Sequence, residues 1–397
     1  MAGVKTLGAA REQIENTCLH LLKYCHERDW AGFDPYDALN SRVLAFVPFV
    51  NNRLTRVALT QINKRLPFNL RSLLLVSKEQ NPKAIALFLT SLVNLKRIKV
   101  LDQNELAGSM VEKLVALRSP NCTYWCWGYS FPWQTRTVLV PRWNPNLVCT
   151  TFVANALLDA YESNRDAECL GMAVSAGEYL LKELFWTDGA SGSGFSYPVP
   201  SSRVRVDNAN FLGSALLCRI YRFNGDQKFL EPALKVARHS ASKQNVDGSW
   251  HYGELPTQRW IDNFHTGYNL CALRSISRYA ETTEFEPHIL RGFEFYRRHF
   301  FREDGAPRYY HDRTFPIDIH SVAQSIITLL NLRDLEGRNI DLAISVYRWA
   351  MNNMWNDKGY FFYQALPYYK NKISYMRWSQ AWMLLALSSL LEYLRHT

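Results

Sequence analysis

One turn element returns along this chain at a nearly constant interval. Asp188-Gly189, Asp247-Gly248, Asp304-Gly305 and Asp357 with Gly359 each open into a short aromatic stretch carrying Tyr197, Tyr252, Tyr309 and Tyr310, or Tyr360 and Tyr363. The four aspartates are 59, 57 and 53 residues apart, and a fainter copy, Trp125 to Tyr129, precedes the first. A fixed period of this size marks a repeat architecture. Between turns the apolar residues fall at spacings of three and four, which predicts helices. One unit reads as a helix over 207–221, a polar break at 222–227 and a second helix over 229–243. The helix after each turn is the more apolar, as in 379–391, and belongs inside, with an amphipathic partner covering it.

Five such units are visible from about residue 120. The first 120 residues add helical patterns over 11–28, 44–66 and 82–101. About six helix pairs fit the 397 residues, and closing them into a ring removes exposed ends. The expected fold is all-α: an (α/α)6 toroid of helical hairpins with short aromatic, hairpin-like turns. An open helical array is the alternative. Residues 1–120 would form an N-terminal helical part and 121–397 the repeated pairs that complete one toroid domain.

Composition narrows the class. The chain is 47% hydrophobic and rich in rings, with 12 Trp, 21 Tyr and 21 Phe, which excludes disordered, collagen-like and coiled-coil chains. Its longest apolar run, 84–95, is interrupted by Thr90, Ser91 and Asn94, short of the roughly 18 apolar residues of a membrane span. The first residues lack the apolar core of a secretory signal, which points to a cytoplasmic chain, in contact with membranes only peripherally. The eight cysteines are then expected as free thiols. Of the net charge of +10, residues 51–100 hold +9, with Glu79 their single acid. Such a segment attracts an anionic membrane surface or an acidic partner. Nothing accompanies it that resembles a nucleic-acid-binding motif.

Several stretches resemble a family of (α/α)-toroid proteins found among bacterial cell-surface polysaccharide genes. They are FDPYDALN at 33–40, WGYSFPWQ at 127–134, WIDNFHT at 260–266, PIDIH at 316–320 and YMRWSQAW at 375–382. The resemblance covers nearly the whole chain and implies fold and setting rather than a reaction. More remotely it extends to six-hairpin glycosidases, sugar 2-epimerases and uronyl C5-epimerases. Gln244, Gly248 and Trp250 are similar to the Q-x3-G-x-W element of triterpene cyclases, where it staples one helix end to the next. The aspartate-rich acid motif of those enzymes is absent, so terpenoid chemistry ranks last and a structural staple is expected here.

Polar and aromatic clusters begin the helix after each turn. They are Asn146 and Thr150; Asp207, Asn208 and Asn210; Trp260, Asp262, Asn263 and His265; Asp318, His320 and Gln324; and Tyr375, Arg377, Trp378, Gln380 and Trp382. In a ring of hairpins these helix starts share one mouth, so the clusters converge on one cavity. Trp250, Tyr252, Tyr309, Tyr310 and His311 would form its rim. Flat rings suit sugar faces, and Arg308, Arg313 and Arg377 suit a uronate or phosphate. Asp262 and His265, three apart, share a helical face and read as a carboxylate orienting an acid/base imidazole. The alternative is that Asp262 caps the helix and His265 is a hydrogen-bonded core residue; Asp318 would be a cap more readily, and Asp207 equally so. Asp318 and His320 form a second such group. Asp262 and Asp318 in adjacent units would be a carboxylate pair for hydrolysis. A Tyr with a His would instead serve a lyase or C5-epimerase.

The catalytic candidates are therefore Asp262, His265, Asp318 and His320. Substrate-binding candidates are Trp260, Asn263, Asp207, Asn210, Tyr309, Tyr310, His311, Arg313, Tyr375, Arg377, Trp378 and Gln380. The turn aspartates read as structural. No metal spacing, phosphate loop or serine-nucleophile motif is present, so no metal or cofactor is expected. The reading is a carbohydrate-active acid/base enzyme of hydrolase, lyase or epimerase type. Its alternative is a non-catalytic protein that binds a glycan or lipid-linked intermediate and docks through the basic segment.

Overall fold

The computed structural model describes residues 2–46, 52–101, 104–189 and 192–396. Thirteen α-helices carry these residues. Six form an inner ring: α3 (Pro82–Arg97), α5 (Leu147–Asn164), α7 (Asp207–Asn224), α9 (Asn263–Tyr279), α11 (Ile319–Asn331) and α13 (Trp382–His396). Each packs on the next, and α13 packs back on α3, so the ring closes. The outer layer pairs α4 (Asn104–Ala116) with α3, α6 (Ala167–Tyr179) with α5, α8 (Gln227–Ala241) with α7, α10 (Glu286–Phe300) with α9 and α12 (Asn339–Met354) with α11. The outer partner of α13 is α1 (Ala2–His26). The fold is the expected (α/α)6 toroid.

Two sequence expectations shift. The fifth unit after residue 120 has an inner helix but no outer one of its own, and α1 covers α13 instead. The first residues therefore clasp the last ones. The helical pattern over 44–66 divides into a 3-10 turn, Leu44–Phe46, and α2 (Arg53–Arg65), while residues 47–51 lie outside the described ones. Helix α2 belongs to neither layer and lies over the mouth.

The repeated turns explain themselves locally. Gly189, Gly248, Gly305 and Gly359 all have positive φ, between 58° and 90°. That region is open to glycine without steric penalty. Three of these glycines also touch backbone of the next outer helix. A Cβ on Gly248 would lie 2.3 Å from the Arg291 carbonyl oxygen of α10, on Gly305 3.0 Å from Ser345 of α12, and on Gly359 3.1 Å from the His20 carbonyl oxygen of α1. The same docking thus repeats around the ring and continues onto α1. Some turns carry two-stranded ribbons, as β1 (Phe185–Thr187) with β2 (Ser193–Phe195), in register Phe185 to Phe195. Gln244 ties the Gly248 and His288 carbonyls at 2.9 Å each, and Trp250 is buried with its Nε1 on the Ser240 carbonyl. This is the staple expected of that motif. All eight cysteines are free thiols.

Candidate active site

Every inner helix starts at the same mouth, and its cap sets what faces inward. Asn81, Asn146, Asp262 and Asp318 are N-cap residues of α3, α5, α9 and α11, each accepting a backbone N–H from its own first turn. Such caps satisfy the amides a helix start leaves open. The residues just after the caps therefore ring a single cavity of about 1200 Å³. Lys83 of α3, Val148 of α5, Asn208 of α7, Phe264, His265 and Tyr268 of α9, His320 of α11 and Trp378 ahead of α13 line it.

The two candidate aspartates sit behind this surface. Asp262 accepts Trp260 Nε1 at 2.9 Å and bonds His265 Nδ1 at 2.7 Å through Oδ2, while Oδ1 takes the His265 amide. Asp318 accepts the His320 amide and Trp378 Nε1, both at 2.9 Å, and Gln364 Nε2 at 2.7 Å. Neither carboxylate lines the cavity; both anchor an indole that does.

The histidines reach it. His265 keeps Nε2 free of Asp262, beside the Tyr252 ring at 4.7 Å and the Phe264 ring at 4.2 Å. His320 lies among Phe264, Trp378 and Trp382, with ring centroids 4.5–4.7 Å away, and its Nε2 meets the Tyr268 hydroxyl at 2.6 Å. Burial, reinforced by Lys83 and Arg377, holds the His320 imidazole neutral, well below its ordinary pKa. Burial raises the Tyr268 phenol well above its ordinary value, so it keeps its proton.

The remaining candidates divide. Trp260, Tyr309, Tyr310, His311, Arg313 and Arg377 line the cavity. Arg377 is fixed from behind by Asp34, at 2.7 and 2.8 Å. Asp207, Asn210, Asn263, Tyr375 and Gln380 are buried in the wall. Asp207 faces Arg205 at 3.0 Å. Asn210 holds the Phe195 amide and Ser240, and Gln380 clasps both backbone groups of Phe361, so the two do equivalent work in different units. Asn263 binds Ser325 and Tyr296. Tyr375 lies under the Arg71 guanidinium, 4.7 Å from its ring centroid.

Sequence reasoning passed over Lys64, Lys83, Tyr36, Tyr129, Tyr197 and Tyr268. Lys83 follows an Asn-Pro helix start, the same signal that marks the other clusters. It is buried over Phe152, 4.1 Å from the ring centroid. Burial and then Arg377 take its amine well below the usual lysine value. Lys64 donates to the Tyr36 hydroxyl at 2.7 Å. Burial opposes its charge, but Tyr36, with Asp318 and Tyr310, prevails and raises its pKa. Seven Lys and Arg side chains line the cavity against one acid, Asp312, itself paired with Arg313.

No family model matches this chain, and no curated protein is similar to it in sequence. Solved structures are. The Lin0763 protein of Listeria innocua superposes with a TM-score of 0.63 at 13% identity, over 95% of this chain and 96% of that one. The cellobiose 2-epimerase of Spirochaeta thermophila gives 0.58 at 15% identity, over 80% and 86%. The unsaturated glucuronyl hydrolase of Streptococcus agalactiae gives 0.60 at 10% identity, over 96% and 91%. The shared fold is the (α/α)6 toroid. Among the described residues no helix is long and apolar enough to cross a membrane.

His320 makes a test of the cavity's dryness. Its folded pKa lies below the unfolded value of 6.5. Above that pH neither state takes a proton. As pH falls below 6.5 the unfolded chain protonates first, and the stability contribution declines by up to about 1.4 kcal/mol per pH unit. Urea denaturation of the wild type and His320→Gln at a series of pH values from about 7 to 5 should give curves that diverge only below 6.5, the wild type losing more. Parallel curves would mean that His320 takes its proton as readily in the fold as in the unfolded chain.

Proposed function

We propose that the cavity is the active site of an acid/base enzyme acting on a saccharide in cell-surface polysaccharide metabolism. His265 transfers the proton, with the Tyr268–His320 pair as its counterpart. One observation carries this reading: an imidazole oriented by a carboxylate faces the cavity while both candidate aspartates are turned away from it. A proton on Nδ1, held by Asp262, leaves the Nε2 lone pair as the base. Two-carboxylate hydrolysis needs two acids bracketing the bond, which this lining does not offer.

The chemistry that fits is removal of a carbon-bound proton next to a carbonyl or carboxylate. Nε2 of His265 takes the proton and the electron pair moves onto oxygen. In the epimerase form Tyr268, hydrogen-bonded to His320 Nε2, gives its proton to that carbon and is left as a phenolate, which regains a proton from water as His265 releases its own; in the lyase form a β-substituent departs with the Tyr268 proton, giving an unsaturated sugar. The basic lining favours an acidic sugar, whose carboxylate also acidifies the neighbouring proton. It disfavours the terpenoid reading, since a lining whose charged groups are mostly arginines would repel a carbocation. Sugar epimerases among the structures of the same fold are consistent with proton-transfer chemistry.

Proton NMR in D2O with uronate-containing and neutral oligosaccharides tests it. Deuterium entering at one sugar carbon, or unsaturated signals, is expected, and His265→Ala should abolish either. New reducing ends without deuterium, or line broadening with no turnover, would overturn it in favour of a hydrolase or a binding protein.

A further inference from the structure

Helix α2 is amphipathic in the wrong direction for a soluble surface. An apolar stripe normally faces the core. Here Val57, Gln61 and Lys64 turn toward the cavity, while Leu54 (73% exposed), Ala58 and Ile62 (56% exposed), spaced four apart, form an outward stripe. The chain beyond the helix continues it with Phe68, Leu73 and Leu75, all exposed. The exposed Phe46 belongs to a segment whose Ser41 is bonded to the Leu74 carbonyl. Beside the end of α2 stands a further exposed ring: Tyr369 bonds the Arg65 carbonyl and Asn371 the Leu66 carbonyl, leaving Tyr368 wholly in solvent. Exposed apolar groups gathered on one helix face and the segments bonded to it mark interaction sites rather than ordinary surface.

Charge says what the partner is. Residues 38–78 contain no acid, and neither do 364–372. Of the basic groups in these stretches, Arg71 is consumed by Asp37 at 2.7 Å and Lys64 faces the cavity. Arg65 also borders the cavity and Arg56 donates to Gln134, while Arg42, Arg53, Lys78, Lys370 and Lys372 are left exposed around the apolar groups. Exposed Leu, Ile and Phe with flanking Lys and Arg, and a tyrosine at the edge, are the chemistry of a helix lying in a bilayer interface. Anionic headgroups complement the basic rim.

We infer that the outward face of α2, with the loop after it and the Tyr368 tip, docks this protein on a bilayer bearing anionic headgroups. The inner face of the same helix borders the cavity, so docking sets the mouth beside the lipid surface, where it can take a saccharide presented there. The inference stands whatever reaction the cavity performs.

Flotation of the full chain with vesicles of phosphatidylcholine and phosphatidylglycerol, against phosphatidylcholine alone, tests it. Binding to the acidic vesicles, weakening as salt rises, is expected. Leu54→Ser with Ile62→Ser and Phe68→Ser should lower the bound fraction on the order of tenfold. Arg53→Glu with Lys78→Glu should do so for acidic vesicles in particular. All these side chains are exposed, so unchanged circular dichroism and melting are expected for both variants. No binding to acidic vesicles, or equal binding by the triple serine variant, would overturn the inference. So would a dimer in light scattering that the same serines dissolve, because the face would then be a contact between copies of this chain.

Discussion

Asp262→Asn leaves the protein folded and lowers kcat by about 10²–10⁴, with little change in KM. An asparagine oxygen still caps α9 by accepting the His265 amide, so the helix start survives. What disappears is the charge that holds a proton on His265 Nδ1 and grips Trp260 Nε1 through the same oxygen. An amide that turns its NH2 toward Nδ1 forces the imidazole proton onto Nε2, the atom that accepts the substrate's proton in the proposed reaction. The loss is then one of tautomer rather than of shape. Steady-state kinetics on the saccharide that reacts by NMR, with melting curves of both proteins, check it. A structural role alone would shift the melting point and leave the pH profile of kcat in place. An unchanged rate would remove Asp262 from the chemistry.

Asp34→Ala destabilises the fold by about 3–5 kcal/mol. Arg377 is buried, and its Nε and Nη2 both bond Asp34. Removing the carboxylate leaves a guanidinium in the protein interior with no charge to meet it. The pair joins residue 34 to the start of the last inner helix, where the Met376 amide also bonds the Phe33 carbonyl. It therefore belongs to the seam that closes the ring. Arg377→Met in the Asp34→Ala background should recover most of the loss, because the unpaired charge goes with it. Urea denaturation measures both steps. A loss under about 1 kcal/mol would mean that water reaches Arg377.

Much of this architecture can be read from local pattern. The Asp-Gly spacing marks the hairpins, and the positive φ of each turn glycine is a short-range requirement that shows directly as residue type. Cap residues and the rings just after them also follow from neighbours within one helical turn. Helix α4 and the covering role of α1 were not legible, because what α1 covers is 380 or so residues away, as the Arg395–Glu15 bond illustrates. Helix α2 was legible as a basic helix, but its placement was not.

The division within the site has the same origin. The sequence by itself determined which residues stand at the mouth, since helix starts and turn spacing are written in adjacent residues. Only the tertiary structure decided which of them face the cavity. Asp318 points into the wall because Trp378, sixty positions on, and Gln364 claim its oxygens. Lys83 and Tyr268 join the site because neighbouring helices bring aromatic rings and His320 against them. A polar side chain at a crowded helix start turns toward its strongest available hydrogen-bond partner. When that partner lies in another hairpin, no local spacing can announce it.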